Sequence, residues 1–164
     1  MTNNDTLARR NIIQTALLAC LVAGTLDITG AIVTSAMHGV PALRIVQSVA
    51  SGLLGKDAYT GGFSTAALGL ALHFCMMLAF AFAFIWAYGR SVFIRTHAVW
   101  LGVVYGVAVY AWMNAVVLPL SAFPHHMKYD PAFLATGILT HILCVGLPIA
   151  LVTKKYFKYN TLAN

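Results

Sequence analysis

The sequence predicts an all-α integral membrane bundle of four transmembrane helices, and three observations carry that reading. The chain of 164 residues is 60% hydrophobic and only 9% charged, a balance suited to a bilayer and unsuited to a water-soluble domain. Four apolar runs reach the roughly 20 residues needed to cross about 30 Å of hydrocarbon. The few charges, net +6 at pH 7, fall in short clusters between the runs, which is a topology pattern and not a nucleic-acid footprint. The lipid bilayer is the expected partner, and no nucleic acid is.

The four runs are Asn11–Met37, Phe63–Tyr88, Ala98–Ala122 and Ala132–Thr153, within one membrane domain over residues 1–164. The first follows Arg9 and Arg10 but is too long for a signal core and contains Asp27, so a retained helix is expected. Its residues Ala16, Cys20, Ala23, Asp27, Gly30 and Thr34 form a stripe of small or polar side chains at spacings of three and four. Membrane helices turn such stripes toward one another because they permit close backbone approach.

The first outer loop carries PALRIVQSVASGLLG, residues 41–55. Leu43, Val46, Ala50 and Leu53 fall on one side, with Arg44, Gln47, Ser48 and Ser51 largely elsewhere. That pattern predicts a short amphipathic helix lying in the interface or dipping part-way in. Gly55, Gly61 and Gly62 end it and start the second run, whose stripe is Ala66, Gly69, His73 and Met77. In the third run Gly102, Gly106, Tyr110 and Asn114 repeat every four residues; in the fourth the stripe is Gly137, His141, Cys144 and Pro148.

Orientation follows from basic residues. Arg9, Arg10, Arg90, Arg95, Lys154, Lys155 and Lys158 lie on one side, against Arg44, Lys56 and Lys128 on the other. The positive-inside rule then predicts a multi-pass protein with both termini cytoplasmic. Trp86, Tyr88, Trp100, Tyr156 and Tyr159 mark the inner interface; Tyr59, Phe63, Phe123 and Tyr129 mark the outer one. Cys20, Cys75 and Cys144 each sit inside an apolar run, where cysteine serves as a small packing residue.

Two histidines stand in otherwise apolar surroundings with the same grammar: GLALH ends at His73 and GILTH at His141. The shared spacing points to a duplicated two-helix unit, which would relate the halves by an axis along the membrane normal. Counting at 1.5 Å per residue puts both histidines roughly 14–15 Å deep, near mid-bilayer. Asp27 and Asn114, on the oppositely running helices, fall at the same level. In an up-down bundle the histidines occupy one diagonal and Asp27 and Asn114 the other. An ionised Asp at that depth costs at least about 2.5 kcal/mol, so it needs a proton, a histidinium, water or a metal.

Several readings of this cluster stay open. Asp27, His73, Asn114 and His141, with Tyr110 beside them, suit a proton, metal-ion or small-solute pathway. Pro119 and Pro148 suit the same reading, since they loosen backbone carbonyls, although an ordinary kink explains them as well. Two diagonal histidines also suit bis-His ligation of a b-type haem, and Asp27, His73 and His141 suit a divalent metal. In the second outer loop His125, His126 and Met127 are soft candidate ligands, while solvated interfacial histidines account for them equally. The plain alternative is interhelical hydrogen-bond glue in a homo-oligomer or a structural or assembly subunit of a larger membrane complex. GLLGK at 52–56 lacks the phosphate-loop spacing, no nucleophile elbow occurs, and no catalytic residue is assigned.

GLALH, GILTH, MNAVVLPLSAFP at 113–124 and RIVQSVASGLLG at 44–55 together resemble small uncharacterised bacterial inner-membrane proteins with four spans. The resemblance implies a bacterial plasma-membrane location and four helices, and carries over no functional residue.

Overall fold

The computed structural model describes residues 3–124 and 131–157. Every regular element among them is helical. Four helices are long and apolar enough to cross a membrane: Asn11–Ala36, Gly62–Arg90, Ala98–Leu120 and Leu134–Tyr156. They are called the first to fourth spans below. The architecture is an all-α four-helix bundle of the kind found in integral membrane proteins.

The first span packs on the second and the fourth, and the fourth packs on the third. The second and third meet chiefly through side chains. The Tyr105 hydroxyl donates to the Phe80 carbonyl at 2.8 Å, and its ring lies 5.1 Å from that of Phe84. The ring order is therefore one, two, three, four, with the two histidine-bearing spans on one diagonal. The interior is built from small residues: Ala16, Ala19, Ala23, Ala81 and Ala150 are each 0% exposed. Phe84, Ile85, Val145 and Ile149 complete the core, while many other large apolar side chains, Leu21, Val33 and Trp86 among them, are exposed, as expected where lipid replaces water.

Span ends differ modestly from the sequence expectation. The second span runs on to Arg90, and a short helix, Val92–Thr96, fills the connection to the third span. The Ser91 hydroxyl caps it, accepting from the Ile94 amide at 3.4 Å. Of the expected inner aromatic belt, Trp86 and Trp100 are exposed. Tyr88 is instead buried, its ring 5.9 Å from Phe157. Tyr129 and Tyr159 lie outside the described residues.

Both later spans contain a π-helical turn, Met113–Val117 and His141–Gly146. The Leu118 amide reaches back to the Met113 carbonyl and the Leu147 amide to the Ile142 carbonyl, each five residues away. The next residues are Pro119 and Pro148, which lack an N–H and crowd the carbonyl four residues back. Widening the helix over that turn takes up the crowding that each proline imposes. It also shifts the buried face of the fourth span, so that Val145, Ile149 and Thr153 are 0% exposed while Cys144 is only half-buried.

The helix expected in the first loop forms over Ala42–Leu54, and its buried face mixes the two sides of the amphipathic pattern. Gln47, Ala50 and Ser51 are buried, whereas Leu43 and Leu53 are exposed. Gly69 explains the choice. The Val46 carbonyl and Ala50 amide press on the place where a Cβ of Gly69 would stand, and only short side chains allow that approach. Gln47 Nε2 donates to the Gly62 carbonyl at 3.0 Å and to Thr65 Oγ1 at 3.2 Å. At its far end the Gly52 carbonyl accepts from the Ala122 amide at 2.8 Å. The helix thus bridges the start of the second span and the end of the third.

That bridge is testable by cross-linking. A Cβ on Gly52 would lie 3.7 Å from that of Ser121, close to the ~3.8 Å mean of disulfides. In a variant with Cys20, Cys75 and Cys144 replaced by Ala, Gly52→Cys with Ser121→Cys should form an intramolecular disulfide on mild oxidation. Mass spectrometry of the oxidised protein finding both thiols free would rule out this placement.

Candidate functional site

A small cavity lies in the middle of the bundle and receives side chains from all four spans. Asp27 comes from the first, His73, Met76, Met77 and Phe80 from the second, Val109 and Met113 from the third, and His141 and Val145 from the fourth. Its volume is about 40 Å³, enough for roughly one to three waters. Both imidazoles stand within Coulombic reach of the Asp27 carboxylate.

The backbone places each group. His73 is buried, 6% exposed, and its Nε2 lies 2.9 Å from the Gly24 carbonyl across the first span. A carbonyl only accepts, so Nε2 carries the proton in that bond and Nδ1 is the remaining nitrogen. Its ring stands edge-on to Phe74 at 5.3 Å. His141 uses the other nitrogen: Nδ1 donates to the Gly137 carbonyl one turn back at 3.0 Å, which leaves Nε2. Tyr110 holds that ring edge-on, 5.2 Å between centroids. Gly137 makes room for this contact, since a Cβ there would sit 2.5 Å from Tyr110 Cε2. The common Gly-x-x-x-His spacing therefore serves two different ends, a seat for the outer-loop helix at Gly69 and a seat for Tyr110 at Gly137.

The third and fourth spans set the position of His141. A Cβ on Gly106 would lie 2.7 Å from the His141 carbonyl oxygen and 2.7 Å from Ile142 Cα. A Cβ on Gly146 would collide with the Gly102 carbonyl. Glycines at 102, 106 and 146 thus let the two backbones touch at the level of the site.

Of the five residues singled out in the sequence, the structure brings Asp27, His73 and His141 to the cavity. Tyr110 stands behind His141. Asn114 lies outside the lining and donates through Nδ2 to the Tyr110 carbonyl on its own helix at 2.7 Å. Met76, Phe80 and Met113 were not singled out, although Met113 lies four residues after Val109 on the same helix. His125, His126 and Met127 lie outside the described residues.

Among the described residues no group of three His, Cys, Asp or Glu side chains converges on one ion position. The cavity is far smaller than a porphyrin, and the bonds to backbone carbonyls leave each imidazole one nitrogen facing away from its carbonyl. Among the described residues every deeply buried side-chain nitrogen or oxygen has a hydrogen-bond partner. The half-buried carboxylate of Asp27 is held by no protein hydrogen bond among those residues. It faces two imidazoles across a water-sized space, an arrangement suited to taking up and handing on protons.

Comparison with family models, curated proteins and solved structures finds no match to this chain.

The glycine contacts predict an ordering of stabilities. Gly146→Ala directs its methyl at backbone and should cost about 1–3 kcal/mol through overpacking. Gly137→Ala meets only the Tyr110 ring, which can turn aside, and should cost less. Thermal unfolding in one detergent compares them, and an equal or reversed order would refute the backbone contact between the third and fourth spans.

Proposed function

We propose that this chain is a multi-pass protein of the bacterial plasma membrane that binds and passes protons at mid-bilayer through Asp27, His73 and His141. The observation that supports this most is the cavity itself. An acid with no protein hydrogen bond among the described residues shares about 40 Å³ with two imidazoles. A site of that size favours protons and water over a larger solute. Each imidazole keeps one nitrogen uncommitted by the hydrogen bonds described above, so each can accept a proton and release it. Asp27 offsets the charge of whichever ring is protonated, which lowers the cost of holding that charge inside hydrocarbon.

Both termini face the cytoplasm in this proposal, on the strength of the basic clusters at Arg90, Arg95, Lys154 and Lys155. Membership of the small four-span bacterial family belongs to the same proposal. The site is built within one chain, so the reading holds for a monomer, a homo-oligomer or a subunit of a larger membrane complex.

The test is proton flux into liposomes carrying the purified protein and a trapped pH indicator, driven by a potassium diffusion potential. Wild type should acidify the lumen faster than empty vesicles. Asp27→Asn keeps the shape of the side chain and removes the acid, and should abolish the excess flux while leaving detergent unfolding nearly unchanged. Wild-type flux in Asp27→Asn would end this reading.

A further inference from the structure

A second cavity lies on the outside of the bundle, away from the midplane site. It is a groove between the first and fourth spans, lined by Leu18, Val22, Leu151, Val152, Lys155 and Tyr156. Its volume is about 250 Å³, several times that of the midplane cavity. Four of the six lining side chains are aliphatic, and Val22, Leu151 and Tyr156 are exposed. The polar part is confined to one end, where the Lys155 ammonium stands 5.2 Å from the centre of the Tyr156 ring.

Depth decides what fits. Val22 lies five residues inward from Asp27, roughly 7–8 Å along the helix, and Leu18 a further turn, roughly 13–14 Å. Lys155 lies fourteen residues beyond His141, roughly 20 Å from the same level. Half of the hydrocarbon thickness is about 15 Å. The aliphatic walls therefore span acyl-chain depth, and the ammonium reaches headgroup depth. Lys154 and Lys155 close the same helix end, so positive charge is concentrated where a lipid phosphate would sit. Tyr156 adds the amphipathic ring that favours this level.

We propose that this groove is a binding site for one anionic phospholipid, with an acyl chain along Val22, Leu18, Leu151 and Val152 and its headgroup on Lys155. Apolar burial and charge pairing act at opposite ends of the groove, which fixes the lipid's direction. A zwitterionic lipid gains the chain contacts but not the net charge attraction.

Native mass spectrometry of the full chain released from nanodiscs tests this, with phosphatidylglycerol and phosphatidylcholine as the lipids. Wild type should retain one phosphatidylglycerol in preference to phosphatidylcholine. Lys155→Ala should weaken that retention about fivefold, the equivalent of ~1 kcal/mol for one basic side chain near the surface. Lys154→Ala removes the same charge from outside the groove and should weaken it less. Val22→Trp fills the groove and should reduce bound lipid of both kinds. Equal retention of the two lipids, or equal losses in Lys154→Ala and Lys155→Ala, would overturn the site in favour of a diffuse surface potential. A dimer that carries no lipid would overturn it in favour of a second copy seated in the groove.

Discussion

The third and fourth spans touch backbone to backbone, and the geometry at mid-bilayer depends on that contact. Helices in lipid gain little from hiding apolar side chains, because the solvent is itself apolar. Close approach and hydrogen bonding must hold them together. Gly102, Gly106 and Gly146 provide the approach, and the π turn at His141–Gly146 lies within it. His141 therefore sits where the two helices are most tightly fixed, and Tyr110, one turn from Gly106, closes over its ring. A helix pair held apart by ordinary side chains would move that imidazole away from Asp27.

A second constraint explains why Asp27 differs from its neighbours. Within a helix, a polar side chain that can donate finds a backbone carbonyl one turn back. Thr34 uses Gly30, Thr140 uses Thr136, Thr153 uses Ile149, Asn114 uses Tyr110 and His141 uses Gly137. Each is satisfied without calling on another helix. An ionised carboxylate only accepts, and the helix interior offers it no spare N–H. Asp27 must find its partner across the bundle or in the cavity. His73 is the one histidine of the pair that crosses, reaching Gly24 on the helix that carries Asp27. That bond ties the second span to the first one turn away from the acid.

Much of this was legible in the sequence. The spans, the small-residue stripes of the first three, and the common depth of Asp27, His73 and His141 follow from length, spacing and the helical rise. Other features were not legible, for physical reasons. The outer-loop pattern has an apolar and a polar side, and which side meets the protein depends on the facing surface. Gly69 admits the backbone at Val46 and Ala50, so Ala50 and Ser51 turn inward, Gln47 turns in to bond Gly62 and Thr65, and Leu43 and Leu53 turn out. Tyr88 reads as an interfacial aromatic until Phe84 and Phe157 are seen around it. Asn114 has the right depth, but its own helix satisfies it. Pro119 and Pro148 signal a disturbed helix, and the sequence alone does not say whether that disturbance is a kink or a widened turn.

The two Gly-x-x-x-His segments show how far a repeated spacing can be trusted. Depth repeats, because depth needs only a count of residues. Chemistry does not repeat. His73 is locked by a bond to a different helix and by the Phe74 ring, while His141 bonds to its own helix and rests against Tyr110. The retained nitrogen is Nδ1 in one and Nε2 in the other. Asp27 thus lies between an imidazole fixed from outside its helix and one whose restraint is local. In the proposed proton site the two acceptors are therefore held differently, His73 through the first span and His141 through its own helix. The departure from internal symmetry means that one repeated spacing presents Asp27 with two differently oriented ring nitrogens, Nδ1 of His73 and Nε2 of His141.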